Sequence, residues 1–153
     1  MGSSVHAEAL RKQNLRVRAM FSLEMIGYFS DAPNSQHFPV AVLSAFYPLT
    51  GNFISLVGRP SEGLLVRQTK AAMRSASPLP VYSINAPTFV VGVDFSDQLS
   101  YWNAGYSAVM ITDTAFYRNR NYHTVQDTEE KLDYHRMAMV VEGVYAAVAE
   151  LAK

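Results

Sequence analysis

The sequence predicts an α/β fold, a three-layer sandwich around a mainly parallel sheet. Short apolar runs recur at 17–26, 53–57, 81–85 and 107–111, each of strand length and closed by Gly, Pro, Asn or Asp nearby. Helix-like stretches lie between and after them. The last stretch carries Met137, Val140, Val141, Val144, Tyr145, Val148 and Leu151, spaced to line one side of a helix. Strands alternating with helices build such a sandwich, and its ligands belong beyond the carboxyl ends of the strands.

One domain is expected over 1–153, a length that buries about 68–70% of the unfolded surface. Hydrophobic content of 49% with 17% charged residues excludes a disordered chain. With 13 basic and 13 acidic residues and no Lys/Arg run, no electrostatic footprint for nucleic acid or an anionic membrane is expected. The absence of cysteine rules out disulfides, thiolate catalysis and cysteine zinc fingers. No apolar run reaches the ~18 residues of a membrane span, and no basic-then-apolar leader opens the chain. A native or internally initiated start is expected in preference to an expression tag.

Taken in order, Ser3 or Ser4 is expected to cap a short helix over Val5–Gln13 that closes near Asn14. The first strand, over 17–26, contains a charge out of place. Glu24 must be paired, neutral, at an exposed strand end or bound to a metal, because burying a lone carboxylate costs several kcal/mol. The stretch 27–39 is a turn-rich loop, and 40–52 an irregular wall. After the strand at 53–57, Ser61 and Glu62 read as N-cap and first-turn acid of a helix running to about Ala76, which Ser77, Pro78 and Pro80 end. A strand at 81–85 and an apolar run at 89–93 follow. Ser96 is expected to cap a short helix that stops at Gly105.

Beyond the last strand, the segment ITDTAFYRNRNYHTVQDTEEKL at 111–132 holds His123 in a polar, aromatic-flanked loop. A metal-bound imidazole donates its second N–H to a carboxylate or carbonyl, and Asp127 is placed to receive it. Asp127 also fits a capping pattern, with Glu130 three residues on. From pattern alone His123 reads equally as ligand or packing residue. His6 and His135 lie on expected helices and read as surface or groove residues, and His37 as a loop residue with no partner in reach by sequence. Asp113 reads as a turn residue, and Asp97 as a helix-start carboxylate. No G-x-S-x-G elbow, G-x-G-x-x-G or Walker pattern is present.

Two segments, SLEMIGYFSD at 22–31 and SDQLSYWNAGYSAVMITDTAFYRNRNYHTVQDTEEKLDY at 96–134, resemble the C-terminal half of the two-zinc (co-catalytic) aminopeptidases. That metallopeptidase family includes the glutaminyl-cyclase-like proteins. The resemblance implies zinc as the cofactor and a peptide as the substrate, whose N-terminal bond a metal-bridging hydroxide attacks. It places Glu24 as a carboxylate ligand of one zinc and His123 as the imidazole ligand of the other. Tyr122 falls at a pocket-lining aromatic position, and Asp97 at a second-shell acidic position where Gln98 follows in place of the usual His.

The family also needs an H-x-D motif and an earlier Glu-Glu pair, and neither occurs here; Glu129-Glu130 lies after His123. A catalytic zinc takes three or more protein ligands. The resemblance therefore implies a sheet incomplete relative to the full zinc-peptidase fold, and a chain inactive alone. Self-association, or pairing with a missing N-terminal half, follows from the faces such a fragment would expose. The alternatives are a noncatalytic α/β scaffold or interaction domain and a glutaminyl-cyclase-like fragment.

Overall fold

The computed structural model describes residues 2–153. In chain order its elements are α1 (Gly2–Lys12), β1 (Met20–Leu23), β2 (Ile54–Gly58), α2 (Gly63–Ala76), β3 (Val81–Asn85), α3 (Gln98–Asn103), β4 (Ala108–Thr112) and α4 (Tyr134–Leu151). Four short 3-10 turns punctuate the connections. The sheet order is β1-β4-β2-β3. β1 runs parallel to β4 and β2 parallel to β3, while β2 and β4 are antiparallel. The sheet is thus mostly parallel, and the carboxyl ends of β1 and β4 lie together at one end of it.

Side-chain alternation along the strands builds two cores. Ile54, Leu56, Val81, Val109 and Ile111 turn to one face, where Leu65, Val66 and Met73 of α2 and Val140 and Ala147 of α4 cover them. Val57, Ala108 and Met110 turn to the other face, against Ala7 of α1 and Tyr101 and Trp102 of α3. Each large aliphatic side chain buried in this way contributes about 1.5–3 kcal/mol. The buried Trp102 indole is satisfied by donating to the Ala108 carbonyl at 3.0 Å. His6 Nδ1 and the Tyr101 hydroxyl, 2.5 Å apart, tie α1 to α3.

Several local expectations change. α1 begins at Gly2, so Ser3 and Ser4 sit inside it and do not cap it. β1 is only four residues long because Met25 takes a left-handed φ of 52° just after it and turns the chain away. Ser61 does not cap α2. A turn over Pro60–Glu62 leads in, and the buried Glu62 carboxylate pairs with Arg59 at 2.8 Å. The apolar run at 89–93, which the sequence leaves without an assigned element, forms turns. At α4, Asp133 accepts from the Arg136 N–H and supplies the cap.

The apolar arc of α4 is wider than the face the core covers. Val140, Gly143 and Ala147 are buried and Met139, Val144 and Leu151 pack against the core, whereas Val141, Tyr145 and Val148 are exposed. Gly143 sets how closely α4 approaches α2: a Cβ there would lie 3.2 Å from both Cβ and Cε of Met73. Gly143→Leu is therefore expected to overpack the helix pair and lower unfolding free energy by about 1–3 kcal/mol in urea denaturation.

Candidate active site

The site grows from the joined ends of β1 and β4. Glu24 continues the β1 ladder by one bond, its N–H donating to Ile111 at 3.0 Å, and the Asp113 N–H donates to Met25 at 2.6 Å. Asp113 is fully buried. Its carboxylate accepts from the N–H of Tyr28 at 2.7 Å and of Ala115 at 2.9 Å. Thr114 and Ala115 then take left-handed φ values of 79° and 46°, a sharp bend held by these bonds. Asp113 is thus a turn residue, as its position in the sequence suggests, and it also anchors the loop that follows Glu24.

Arg118, also buried, clamps the same region. Its Nε donates to Gln36 Oε1 at 2.9 Å, and its Nη1 donates to the carbonyls of Tyr28 and Phe53 at 3.1 and 3.0 Å. The guanidinium lies 4.7 Å from the centre of the Phe53 ring. Gln36 in turn donates to Thr114 Oγ1 at 2.9 Å and to the His37 carbonyl at 2.8 Å. Burial lowers the Arg118 pKa to about 10 against the pull of Asp113, which leaves it charged at neutral pH.

From this clamp the chain enters the loop of His123. Asn119 is buried; its side chain donates to Asp127 Oδ1 at 2.8 Å and accepts from the Asn121 N–H at 2.9 Å. Asp127 therefore receives Asn119 rather than the imidazole of His123, and it caps no helix, since Thr128 precedes the 129–131 turn without a side-chain bond. His123 takes a left-handed φ of 60°, is exposed, and stacks on Tyr122 with ring centres 3.9 Å apart at 17°.

Glu24 and Tyr122 meet at a cavity of about 110 Å³. Ser55, Val57, Ile84 and Met110 of the sheet line it, together with Leu43, Tyr47, Val90, Val93 and Phe95 of the connecting segments. Phe116 joins Phe95 to Tyr122 along it, with ring centres 6.1 and 5.8 Å apart. Burial raises the Tyr122 phenol pKa, and the negative charges of Glu24 and Asp127 raise it further. His37 also lines the cavity, which its loop position alone does not suggest.

One partner of Glu24 has no local signature in the sequence. Ser96 Oγ donates to Glu24 Oε2 at 2.9 Å and lies 2.8 Å from Ser22 Oγ. Ser96 therefore does not cap α3 with its side chain, whose hydroxyl is spent on Glu24; only its carbonyl accepts, from Leu99. Asp97 precedes α3, is exposed, and makes no capping side-chain bond. Ser22 does carry a signal, since it is a small polar residue inside an apolar strand run, but its partner lies 74 residues away.

The chain matches the family model described as Peptidase family M28 over residues 1–148. It belongs to that family. YfbL, an uncharacterized protein of Escherichia coli K12, is 51% identical over 144 residues, which are 94% of this chain and 44% of YfbL. LapA of Legionella pneumophila superposes with a TM-score of 0.71 at 19% identity, over 99% of this chain and 36% of LapA. BSAP, a zinc aminopeptidase from Bacillus subtilis, superposes with a TM-score of 0.65 at 17% identity, over 97% of this chain and 32% of BSAP. These two likenesses show a shared fold. This M28 chain spans less than half the length of each of the three.

Zinc is implied by the family and by the name of BSAP, and the donors present can be weighed against it. A carboxylate and an imidazole are zinc-type donors. Their number does not fit: among the described residues, no three His, Cys, Asp or Glu side chains are grouped to hold a metal ion. A catalytic zinc needs more donors than Glu24 and His123 bring, so these residues alone support no metal-dependent step.

Two predictions concern the clamp. Arg118→Met leaves Gln36, two carbonyls and the Asp113 charge without their partner, and is expected to lower unfolding free energy by about 3–5 kcal/mol in urea. Burial, the largest influence on Asp113, raises its pKa, while backbone N–H groups and Arg118 pull it back only in part. The folded protein then holds that proton more tightly than the unfolded chain, so this contribution is greatest at low pH and is lost as pH rises through the raised value. The stability of the protein relative to Asp113→Asn is expected to be greater near pH ~4 than near pH ~7; urea titrations at both values read it.

Proposed function

We propose that this chain is the part of a zinc-dependent aminopeptidase that carries one donor for each of two metal ions, and that it is inactive alone. Glu24 and His123 are the donors, and Tyr122 borders the substrate. The observation that carries the reading is that Glu24 and Tyr122 meet at an apolar cavity, with His123 stacked on Tyr122. A ligand whose apolar side chain fills the cavity presents its polar end to Glu24. That matches hydrolysis at the N-terminus of a peptide, where a cationic amine sits beside the first side chain.

In this assignment Ser96 and Ser22 fix the Glu24 carboxylate, so the donor arrives with one oxygen already oriented. The left-handed turn at His123 is held from both sides, by Asn119 bonded to Asp127 and by the Tyr122 ring. Asp127 acts on the shape of the loop, through Asn119, and Asp97 lies outside the machinery.

Zinc binding by inductively coupled plasma spectrometry after dialysis, paired with hydrolysis of leucine p-nitroanilide, tests the reading on the chain by itself. Substoichiometric zinc and no turnover above buffer are expected. Near-stoichiometric, tightly held zinc with turnover would overturn it.

A further inference from the structure

The register of the sheet lays the floor of the cavity out in two rows. Val57 stands opposite Met110 of β4 and Ile84 of β3, and these three make one row wholly apolar. Ser55 stands opposite Thr112 of β4 in the same way. Leu23 pairs with Ile111, and the Glu24 N–H donates to the Ile111 carbonyl, so Glu24 continues this second row beyond Thr112. Glu24, Thr112 and Ser55 all line the cavity. One row is therefore apolar, and the row beside it carries a carboxylate and two hydroxyls.

Both hydroxyls belong to buried residues, with Ser55 7% and Thr112 4% exposed. Thr112 Oγ1 accepts from the Thr114 N–H at 3.0 Å, and its own O–H meets no acceptor among the described residues. The Ser55 hydroxyl has no hydrogen-bond partner among them. Buried donors are ordinarily matched, so two that line a cavity without an acceptor mark where the polar atom of a ligand belongs.

Spacing and walls narrow the choice of ligand. Neighbouring strands lie about 4.7–4.9 Å apart, which sets Thr112 one such step from Glu24 and Ser55 two. Beyond Ser55 the row ends at Tyr82, on whose ring Phe53 and Tyr47 pack with centres 5.0 and 6.1 Å away. The Tyr47 hydroxyl already donates to the Ser83 carbonyl at 2.8 Å. A ligand with its amine at Glu24 thus needs an apolar body against the Met110 row and a neutral hydrogen-bonding tip near Ser55. A Lys or Arg tip finds no counter-charge there, since Glu24 is the only carboxylate among the described lining residues. Leucine and phenylalanine side chains leave both hydroxyls unmatched. A phenol accepts and donates at the far end of an aromatic ring.

We propose that the cavity selects tyrosine as the first residue of the peptide, its phenol oxygen received by the Ser55 and Thr112 hydroxyls. The placing of the amine rests on the reading of Glu24 given above, while the phenol site rests on the floor of the cavity. Ser55 and Thr112 are then specificity-determining residues. A site that hydrogen-bonds a hydroxyl discriminates against the analogue lacking it more sharply than an apolar wall discriminates by size.

Titration of the chain with L-tyrosinamide, L-phenylalaninamide and L-leucinamide tests it, read through the isotope-labelled ε-methyl resonance of Met110 on the cavity floor. Tyrosinamide is expected to shift that resonance and to bind at least about fivefold tighter than either of the others. Ser55→Ala is expected to abolish most of the preference over phenylalaninamide, and Thr112→Val to reduce it. Circular dichroism checks the fold of both variants. Equal binding of tyrosinamide and phenylalaninamide, no shift at Met110, or an undiminished preference in whichever variant folds would each overturn the inference. The N-acetylated amides separate it from the reading of Glu24. If N-acetyl-L-tyrosinamide binds as tightly as tyrosinamide and keeps its Ser55-dependent advantage over N-acetyl-L-phenylalaninamide, the phenol site stands and the aminopeptidase reading falls.

Discussion

The buried guanidinium of Arg118 is the constraint on which the rest of the site depends. A charge in the interior is costly unless its donors find acceptors. Arg118 meets most of that demand, with Nη2 left unpartnered, by reaching three separate stretches of chain: the Gln36 side chain, the Tyr28 carbonyl and the Phe53 carbonyl. Because Tyr28 also donates to Asp113, the two buried charges share one backbone segment between them. The loop after β1, the loop after β4 and the entry to β2 are thereby held as one rigid corner.

That corner gives the site its geometry. Glu24 leaves β1 and the 113–123 segment leaves β4, and the parallel pairing of these two strands puts both at one end of the sheet. The antiparallel junction between β4 and β2 reverses the other pair, and β2 contributes to the cavity through Ser55 and Val57, which pair with Thr112 and Met110 of β4. The cavity is consequently apolar in its depth and acidic where Glu24 meets it. Its aromatic lining runs from Phe95 through Phe116 to Tyr122 and on to the stacked His123.

Much of this is legible in the residues. The periodicity of 134–151, the breakers at 77–80 and the apolar runs at 53–57 and 107–111 place their elements to within a few residues, because each is decided by local pattern. The oddity of Glu24 in an apolar run and the polar loop around His123 mark the two places where the site lies, and the family likeness joins them. The long-range partners are not legible. Ser96 reads as a cap because nothing local reveals Glu24 beside it, and nothing local marks Arg118, whose acceptors lie 82, 90 and 65 residues away. The exposed half of the α4 stripe is also invisible, since periodicity marks which residues are apolar and not which of them the chain itself covers.

Glu24 and His123, in the proposed assignment, serve different metal ions and do not form one shared site. Zinc titration followed through the His123 imidazole resonances, in the protein and in Glu24→Gln, tests this most directly. Weak binding at His123 with the same midpoint in both proteins is the expected result. A midpoint that moves by about tenfold or more when Glu24 is replaced, equivalent to ~1.4 kcal/mol of coupling, would contradict it.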